Sequence, residues 1–406
     1  MNFNHVIARG IWNSDSRWII KLKVSSFNFL YLLLVITLGE HRSPLLPILM
    51  KKRDKKIFYL FFGSVIMNLS TNDGSTDTLS QSLMCDLMNK EGGAELVGLV
   101  VTLQSICKNI SAAVRRAGIS RLFGAHGSIN IQGEDQQKLD ILANQIFIKQ
   151  LTKSCTTCLL VSEEMDNVVE VEPEKAGNYI VCFDPLDGSN NIDCLASIGS
   201  IFAVYKRKTP KGSPPTLEDV LQPGKNLIAA GYALYGSATV MMLSTGSGVD
   251  KYILDPSTGE FLLSERNIKI SSDRVQYSVN ESYSGSWDPK ILDFVENKKK
   301  GPNPTPQRYI GTFIADFHRT LMYGGIFLYP ANKFSPKGKL RLLYECNPAS
   351  FLMQQAGGIG STGKEHVLDI KPRTIHDRCP VYLGAIKEID QLHSFLNVDK
   401  LRERIN

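Results

Sequence analysis

The 406-residue sequence predicts a layered α/β fold: two mixed-sheet domains, with helices packed between and outside the sheets. Three observations predict it. Short apolar runs of strand length alternate with segments of helical period on both sides of residue 268. The chain is long enough to bury two cores, and its 43% hydrophobic and 21% charged content is that of a globular protein rather than a disordered one. No internal repeat at a fixed period suggests a solenoid or propeller instead.

Taken in order, residues 1–75 read apart from the rest. Phe27–Leu38 and Ile57–Met67 are apolar runs flanking the basic stretch Lys51-Lys52-Arg53-Asp54-Lys55-Lys56. Both are shorter than the ~18 residues that suggest a spanning helix. Arg17, Lys21 and Lys23 lead into the first run as in a signal peptide, but Thr37-Leu38-Gly39-Glu40-His41 is a poor cleavage site. The reading is that Met67 is the natural start, the stretch upstream of it being mistranslated or poorly ordered, and 1–75 is set apart from the domains as an N-terminal extension, disordered or not native; a membrane-anchored form using 27–67 is the alternative.

From Thr76 the pattern tightens. Leu96, Val100, Leu103, Cys107, Ile110 and Val114 recur at helical spacing up to Gly118. Residues 123–135, rich in Gly, Ser and Asn, read as a mobile loop. Leu139–Leu151 resumes a helix. Cys158–Ser162 and Tyr179–Phe183 read as buried strands ending in acids, followed by strands at Ser200–Tyr205, Ala229–Tyr235 and Thr239–Leu243. Lys206–Gly224, rich in proline and glycine, is a surface loop. A second domain, 268–406 after 76–267, alternates helices at Pro289–Lys298, Phe317–Tyr323 and Ala349–Ala356 with strands at Gly325–Leu328, Arg341–Tyr344 and Val381–Ala385.

The formal charge of +6 is modest, and no Lys/Arg block with interleaved aromatics runs through the body, which argues against nucleic acid and suits a small anionic substrate. Eight scattered cysteines, of which only Cys155 and Cys158 are close, read as reduced thiols of a cytoplasmic protein.

The chemistry lies in five carboxylates at predicted strand ends: Glu163, Glu164, Asp184, Asp187 and Glu345. Pro185 stiffens the turn between the two aspartates, and Gly188 lets backbone N–H groups approach a phosphate. Converging carboxylates repel unless they hold hard divalent cations, which prefer oxygen ligands. A turn with two aspartates is by itself often a solvated loop; here it occurs together with Glu163-Glu164.

With these residues in view, the sequence resembles the fructose-1,6-bisphosphatase family. The resemblance rests on Val161-Ser162-Glu163-Glu164, on Cys182–Ser189 with Asn191-Ile192-Asp193, on Arg308-Tyr309, on Tyr323–Lys333 and on Gly338–Pro348, in order between about Thr76 and Leu396. The Asp184–Ser189 element alone also fits the wider lithium-sensitive phosphatases. The resemblance implies hydrolysis of the 1-phosphate of fructose 1,6-bisphosphate, a gluconeogenic step, by metal-activated water. It implies that Glu163, Asp184, the Leu186 carbonyl, Asp187 and Glu345 ligate Mg²⁺, with Mn²⁺ or Zn²⁺ as substitutes. Asp140 and Glu164 would position or deprotonate the attacking water, with Glu134 from the glycine-rich loop. Asp187, Gly188, Ser189 and Arg341 would surround the scissile phosphate. Asn280, Tyr283, Arg308, Tyr309, Tyr329 and Lys339 would bind the distal phosphate and sugar. Arg308 of that family reaches across a subunit interface, implying a homotetramer; no membrane partner is expected for the body. A phosphatase of sedoheptulose bisphosphate or inositol phosphate, or a catalytically dead regulatory homologue, is the alternative.

Two departures stand out: Glu134 where the family has aspartate, and Asn190 where it has a second serine. At the family's allosteric nucleotide site, Gly92-Gly93-Ala94-Glu95-Leu96-Val97 lacks the hydroxyl side chains, and Asn178-Tyr179 and Tyr205-Lys206 lose bidentate phosphate donors. The effector residues, degenerate here, would be Glu95, Leu96, Tyr179 and Lys206, with weakened AMP inhibition. Gly358–Lys364 nearly spells a P-loop but follows a predicted helix and ends in Glu365 rather than Ser or Thr. His318 and His376 read as structural hydrogen-bonding histidines.

Overall fold

A computed structural model describes residues 77–117, 135–273 and 275–398, together with the strand backbones of 6–13, 17–24, 33–37 and 125–129. Residues 1–70 form a unit of their own, in which β1 (Val6–Asn13), β2 (Arg17–Val24) and β3 (Leu33–Thr37) make an antiparallel sheet. The apolar run 57–67 and most of 1–75 lie outside the described residues.

The body begins with α1 (Leu79–Leu87), started by a capping box in which Thr78 and Gln81 satisfy each other's backbone N–H groups. Then come α2 (Gly93–Arg116), β4 (Ala125–Ile129), β5 (Asp135–Gln137) and α3 (Lys138–Lys153). Strand β4 lies in the segment 123–135 expected to be a mobile loop and pairs antiparallel with β5, which begins at its last residue; 123, 124 and 130–134 lie outside the described residues. The chain continues with β6 (Thr157–Ser162), β7 (Val169–Glu170), β8 (Tyr179–Asp187), β9 (Ile198–Lys206), α4 (Leu217–Val220), β10 (Leu227–Tyr235), β11 (Thr239–Ser244), β12 (Asp250–Asp255) and β13 (Glu260–Glu265). The remaining elements are β14 (Tyr277–Ser278), α5 (Pro289–Lys300), α6 (Phe313–Tyr323), β15 (Ile326–Tyr329), α7 (Asn347–Gln355), β16 (Gly358–Ser361), β17 (Val381–Ala385) and α8 (Ile386–Leu396).

Both sheets of the body are mixed. The larger has the order β13-β12-β11-β10-β9-β8-β6-β7 and is antiparallel except for β6 with β8; the smaller has the order β14-β15-β17-β16 and is antiparallel except for β14 with β15. The central strands are buried on both faces, which explains why they read as unbroken apolar runs rather than alternating ones. Along β8, Ile180 and Cys182 enter the core shared with α6 and α7, while Tyr179, Val181 and Phe183 enter the core beneath α1–α3. A third core joins the outer face of the smaller sheet to α5 and α8. The layers therefore run helices, sheet, helices, sheet, helices.

One expected strand is absent. Arg341–Tyr344 does not extend; the chain makes a π-helical turn over Leu342–Cys346 that leads directly into α7. A short apolar run with all its residues buried has no periodicity to separate strand from helix. Here Pro348 at the start of α7 and the bond from the Arg341 N–H to Glu345 Oε2 (2.7 Å) favour the wound form. The P-loop lookalike is also accounted for: its first half is the strand β16. His318 Nδ1 meets the Tyr232 hydroxyl at 2.7 Å and His376 Nδ1 meets that of Tyr344 at 2.8 Å, both structural contacts. All eight cysteines are free thiols, with Cys158 buried away from exposed Cys155.

Candidate active site

The C-terminal end of β8 builds the floor of a cleft of about 160 Å³. Asp184 Oδ1 accepts the N–H of Leu186 (3.0 Å), and the carbonyl of Pro185 takes the Ser200 hydroxyl (2.7 Å). The turn expected after Phe183 is instead the irregular end of β8, which runs on through Asp187 with a register shift between Asp184 and Asp187; those bonds hold it so that both aspartates serve the same cleft. Asp187 Oδ2 accepts the N–H of Ile314 (2.6 Å) in the first turn of α6, where the helix dipole favours a carboxylate. Gly188 follows at φ +77°, and a Cβ there would lie 2.4 Å from Thr312 Cγ2; both the turn and the close approach demand glycine.

The other acids arrive from three directions. Glu163 and Glu164 follow β6, Asp140 stands in the first turn of α3 with its carboxylate on the Gln137 N–H (2.8 Å), and the π-helical turn delivers Glu345. Glu345 was expected at a strand end; the turn does the same work by starting α7 behind it. Asp184, Asp187 and Glu345 each offer an oxygen within 4.8 Å of the others. Glu163 and Arg341 are buried and paired at 2.8 Å, with Glu345 Oε2 3.8 Å from the same guanidinium nitrogen.

Crowding acids in a buried site raises their proton affinity. Burial, then the charges of Glu163, Asp187 and Glu345, holds Asp184 well above the usual carboxylate range. Burial is likewise the largest cause that pushes Asp187 to about 7, Glu345 to about 8 and Asp140 to about 7, with Glu163 adding repulsion at each. A set of oxygen donors this close, each hard to ionise alone, fits divalent cations of the magnesium kind.

The same cleft is lined by Leu186, Gly188, Ser189, Tyr309, Tyr329, Lys339 and Arg341. Asn280 and Tyr283 border a small adjoining pocket that shares Tyr329. Arg308 is exposed, its guanidinium on the Gln307 carbonyl (2.7 Å), and does not line the cleft. Glu134 lies outside the described residues. The four effector positions are elsewhere: Glu95 accepts both the N–H and the Nδ2 of Asn178 (3.0 and 2.7 Å), the Tyr179 hydroxyl donates to the Gly92 carbonyl (3.1 Å), Leu96 is buried and Lys206 is exposed at the end of β9.

Two contacts at the cleft, those of Asp316 and of Asn191 with Thr312, have no role assigned from the sequence. Asp316, 1% exposed on α6, accepts the N–H groups of Ile310 (2.8 Å) and Gly311 (2.9 Å) and the Ser278 hydroxyl (2.8 Å). Asn191 Nδ2 donates to Thr312 Oγ1 (2.8 Å) across the rim. A lone acid in the first turn of the apolar stretch Phe313–Phe317 was the available signal for Asp316; nothing in the sequence marks the Asn191–Thr312 contact, made across 121 residues.

Phosphate-sized space beside clustered acids, lysine and arginine, set at the end of a mixed sheet, defines a phosphoric-monoester hydrolase of the sugar-phosphatase class. The family model "Fructose-1-6-bisphosphatase, N-terminal domain" matches residues 77–266, and "Fructose-1-6-bisphosphatase, C-terminal domain" matches 270–397. Fructose-1,6-bisphosphatase 1 of Rattus norvegicus is 49% identical over 330 residues, 80% of this chain and 90% of that protein. The cytosolic fructose-1,6-bisphosphatase of Oryza sativa subsp. indica is 51% identical over 307 residues, 75% of this chain and 90% of its own. The crystal structure of Leishmania major fructose-1,6-bisphosphatase in holo form superposes with a TM-score of 0.75 at 37% identity, covering 80% of this chain and 99% of that one. The chain belongs to the fructose-1,6-bisphosphatase family.

Proposed function

We propose that the chain hydrolyses the 1-phosphate of fructose 1,6-bisphosphate, giving fructose 6-phosphate and phosphate in gluconeogenesis. The observation that carries this is the carboxylate trio Asp184, Asp187 and Glu345, with donor atoms within 4.8 Å, in a chain matched along both domains of the family. The double match favours the bisphosphatase over an inositol-phosphate substrate, which would share only the Asp184–Ser189 element.

Glu163, Asp184, the Leu186 carbonyl, Asp187 and Glu345 would hold Mg²⁺. When bound, the ion supplies polarisation of the phosphoryl group and stabilisation of the leaving oxygen. Glu164 and Asp140 line the same cleft, suited to take the proton of the attacking water; a carboxylate such as Asp140, which burial pushes to about 7, is matched to that task. Gly188 and Ser189 offer N–H groups, and Arg341 a guanidinium, to the 1-phosphate. Tyr309, Tyr329 and Lys339, with Asn280 and Tyr283 of the adjoining pocket, would hold the sugar and the 6-phosphate. Arg308, turned away from this cleft, would complete the site of a neighbouring subunit in a homotetramer.

Residues 76–267 would form the metal-site and effector domain, and 268–406 the sugar-phosphate domain. A cytoplasmic location accords with the cytosolic relative. AMP inhibition would be weak, because Asn178 occupies both oxygens of Glu95 and supplies no cation at the start of α2. The test is phosphate release from fructose 1,6-bisphosphate and sedoheptulose 1,7-bisphosphate with Mg²⁺ and titrated AMP. A preference for the fructose ester and no inhibition at micromolar AMP are expected. Failure to cleave it refutes the activity, and micromolar inhibition refutes the effector reading.

A further inference from the structure

The acids of the cleft arrive on separate elements, and a half-buried histidine that does not line the cleft bonds two of those elements at once. His376 Nε2 stands 3.0 Å from the Met165 carbonyl, and its Nδ1 stands 2.8 Å from the Tyr344 hydroxyl. A carbonyl only accepts, so Nε2 carries a hydrogen and Nδ1 is left to the tyrosine. Met165 directly follows Glu163-Glu164, and Tyr344 directly precedes Glu345. One ring therefore joins the turn after β6 to the π-helical turn before α7.

The loop that carries this ring is itself fixed. Asp377 closes it by accepting the Arg373 N–H (2.6 Å) and the Thr374 hydroxyl (2.9 Å). Its far end pairs with the segment that carries Lys339 and Arg341: the Leu342 N–H donates to the Asp377 carbonyl (2.6 Å) and the Cys379 N–H to the Leu340 carbonyl (3.2 Å). A second link between the two turns, the buried Glu163–Arg341 pair, employs the carboxylate that a cation would claim. The His376 link employs a backbone carbonyl and a hydroxyl, so it can hold the same spacing with a cation present.

We propose that His376 is a positioning residue of the cation site: by tying the turn after β6 to the π-helical turn, it sets the separation of Glu163 and Glu345. The proposal rests on the metal-dependent reading given above and makes cation affinity depend on a side chain outside the cleft.

Titrating the chelator-treated full chain with Mn²⁺, with the spin-resonance signal of the free ion as readout, tests this beside a thermal melt. His376→Ala breaks both bonds and should weaken ion binding about 10-fold at a temperature where the variant is fully folded. Tyr344→Phe removes one bond and should weaken it about threefold, with no further loss when added to His376→Ala, because the two share that bond. His376→Gln keeps an amide N–H₂ to offer the Met165 carbonyl and should bind the ion at least about threefold more tightly than His376→Ala. Should His376→Ala misfold, Tyr344→Phe decides alone. Ion affinity unchanged in the folded variants while the melting temperature falls would overturn the assignment and leave His376 a purely structural residue. Absence of ion binding by the unsubstituted chain would overturn the metal-dependent reading along with it.

Discussion

Asp316 carries no proposed chemistry, yet its replacement by asparagine should impair substrate binding selectively. The carboxylate holds three groups at once: the N–H groups of Ile310 and Gly311 through separate oxygens, and the Ser278 hydroxyl. Asparagine keeps one acceptor, sufficient for Ile310 and Ser278, and turns its amide N–H₂ against the N–H of Gly311. Losing one hydrogen bond to a charged group costs about 1.5–3 kcal/mol. If substrate must reorder the 309–311 segment at that cost, KM rises roughly 10- to 100-fold, at about 1.4 kcal/mol per decade. Turnover should stay within about threefold, since Asp184, Asp187 and Glu345 keep their own contacts. Steady-state kinetics on fructose 1,6-bisphosphate, beside a thermal melt, measures both. An unchanged KM with a lowered melting temperature would refute the reasoning and leave Asp316 a purely structural residue.

Three further outcomes follow from the same geometry. Gly188→Ala forces an L-residue to φ +77° with its Cβ against Thr312; it should cost at least ~1–2 kcal/mol of stability in denaturant unfolding, and equal stability would contradict the turn geometry. Asp140 and Asp187 near 7 and Glu345 near 8 lie above the ordinary carboxylate range, so their contribution to stability is present below about pH 4 and lost as pH rises through 7–8. The metal-free protein should therefore melt lower at pH 8 than at pH 6, and excess Mg²⁺ should raise the melting temperature more at pH 8; a flat difference would argue against a carboxylate-bound ion. Asn190→Ser restores a hydroxyl beside Ser189 and should raise turnover by no more than about threefold, because Asn190 keeps the backbone N–H that a phosphate uses; a tenfold gain would show that the side chain matters.

Much of the layered fold was legible because buried strands such as β8 and β9 carry unbroken apolar runs bounded by polar turns, while α2 keeps a strict helical period. What failed was periodicity itself where every residue is buried: Leu342–Cys346 has no exposed face to betray its winding, so a π-helical turn read as a strand. Short elements with little sequence signal, β12, β13 and β16 among them, were passed over, as was the amphipathic α8. The acids of the cleft were legible as residue types, since carboxylates following apolar strands are uncommon. Their convergence was not, because Asp140, Glu164, Asp187 and Glu345 meet only when β6, β8, α3 and the turn before α7 are assembled. Asp316 shows in the sequence only as an acid in the first turn of an apolar helix; its role was not legible, because two of its three partners are backbone N–H groups, which leave no trace in composition.

The central claim is that the carboxylates of this cleft hold a divalent ion that drives hydrolysis of a sugar bisphosphate. The most direct measurement is phosphate release from fructose 1,6-bisphosphate by the chelator-treated protein, before and after adding Mg²⁺, with Asp184→Asn alongside. One phosphate per sugar should appear only with Mg²⁺, and Asp184→Asn should release almost none. Equal release without the ion, or none with it in a folded protein, would contradict the account.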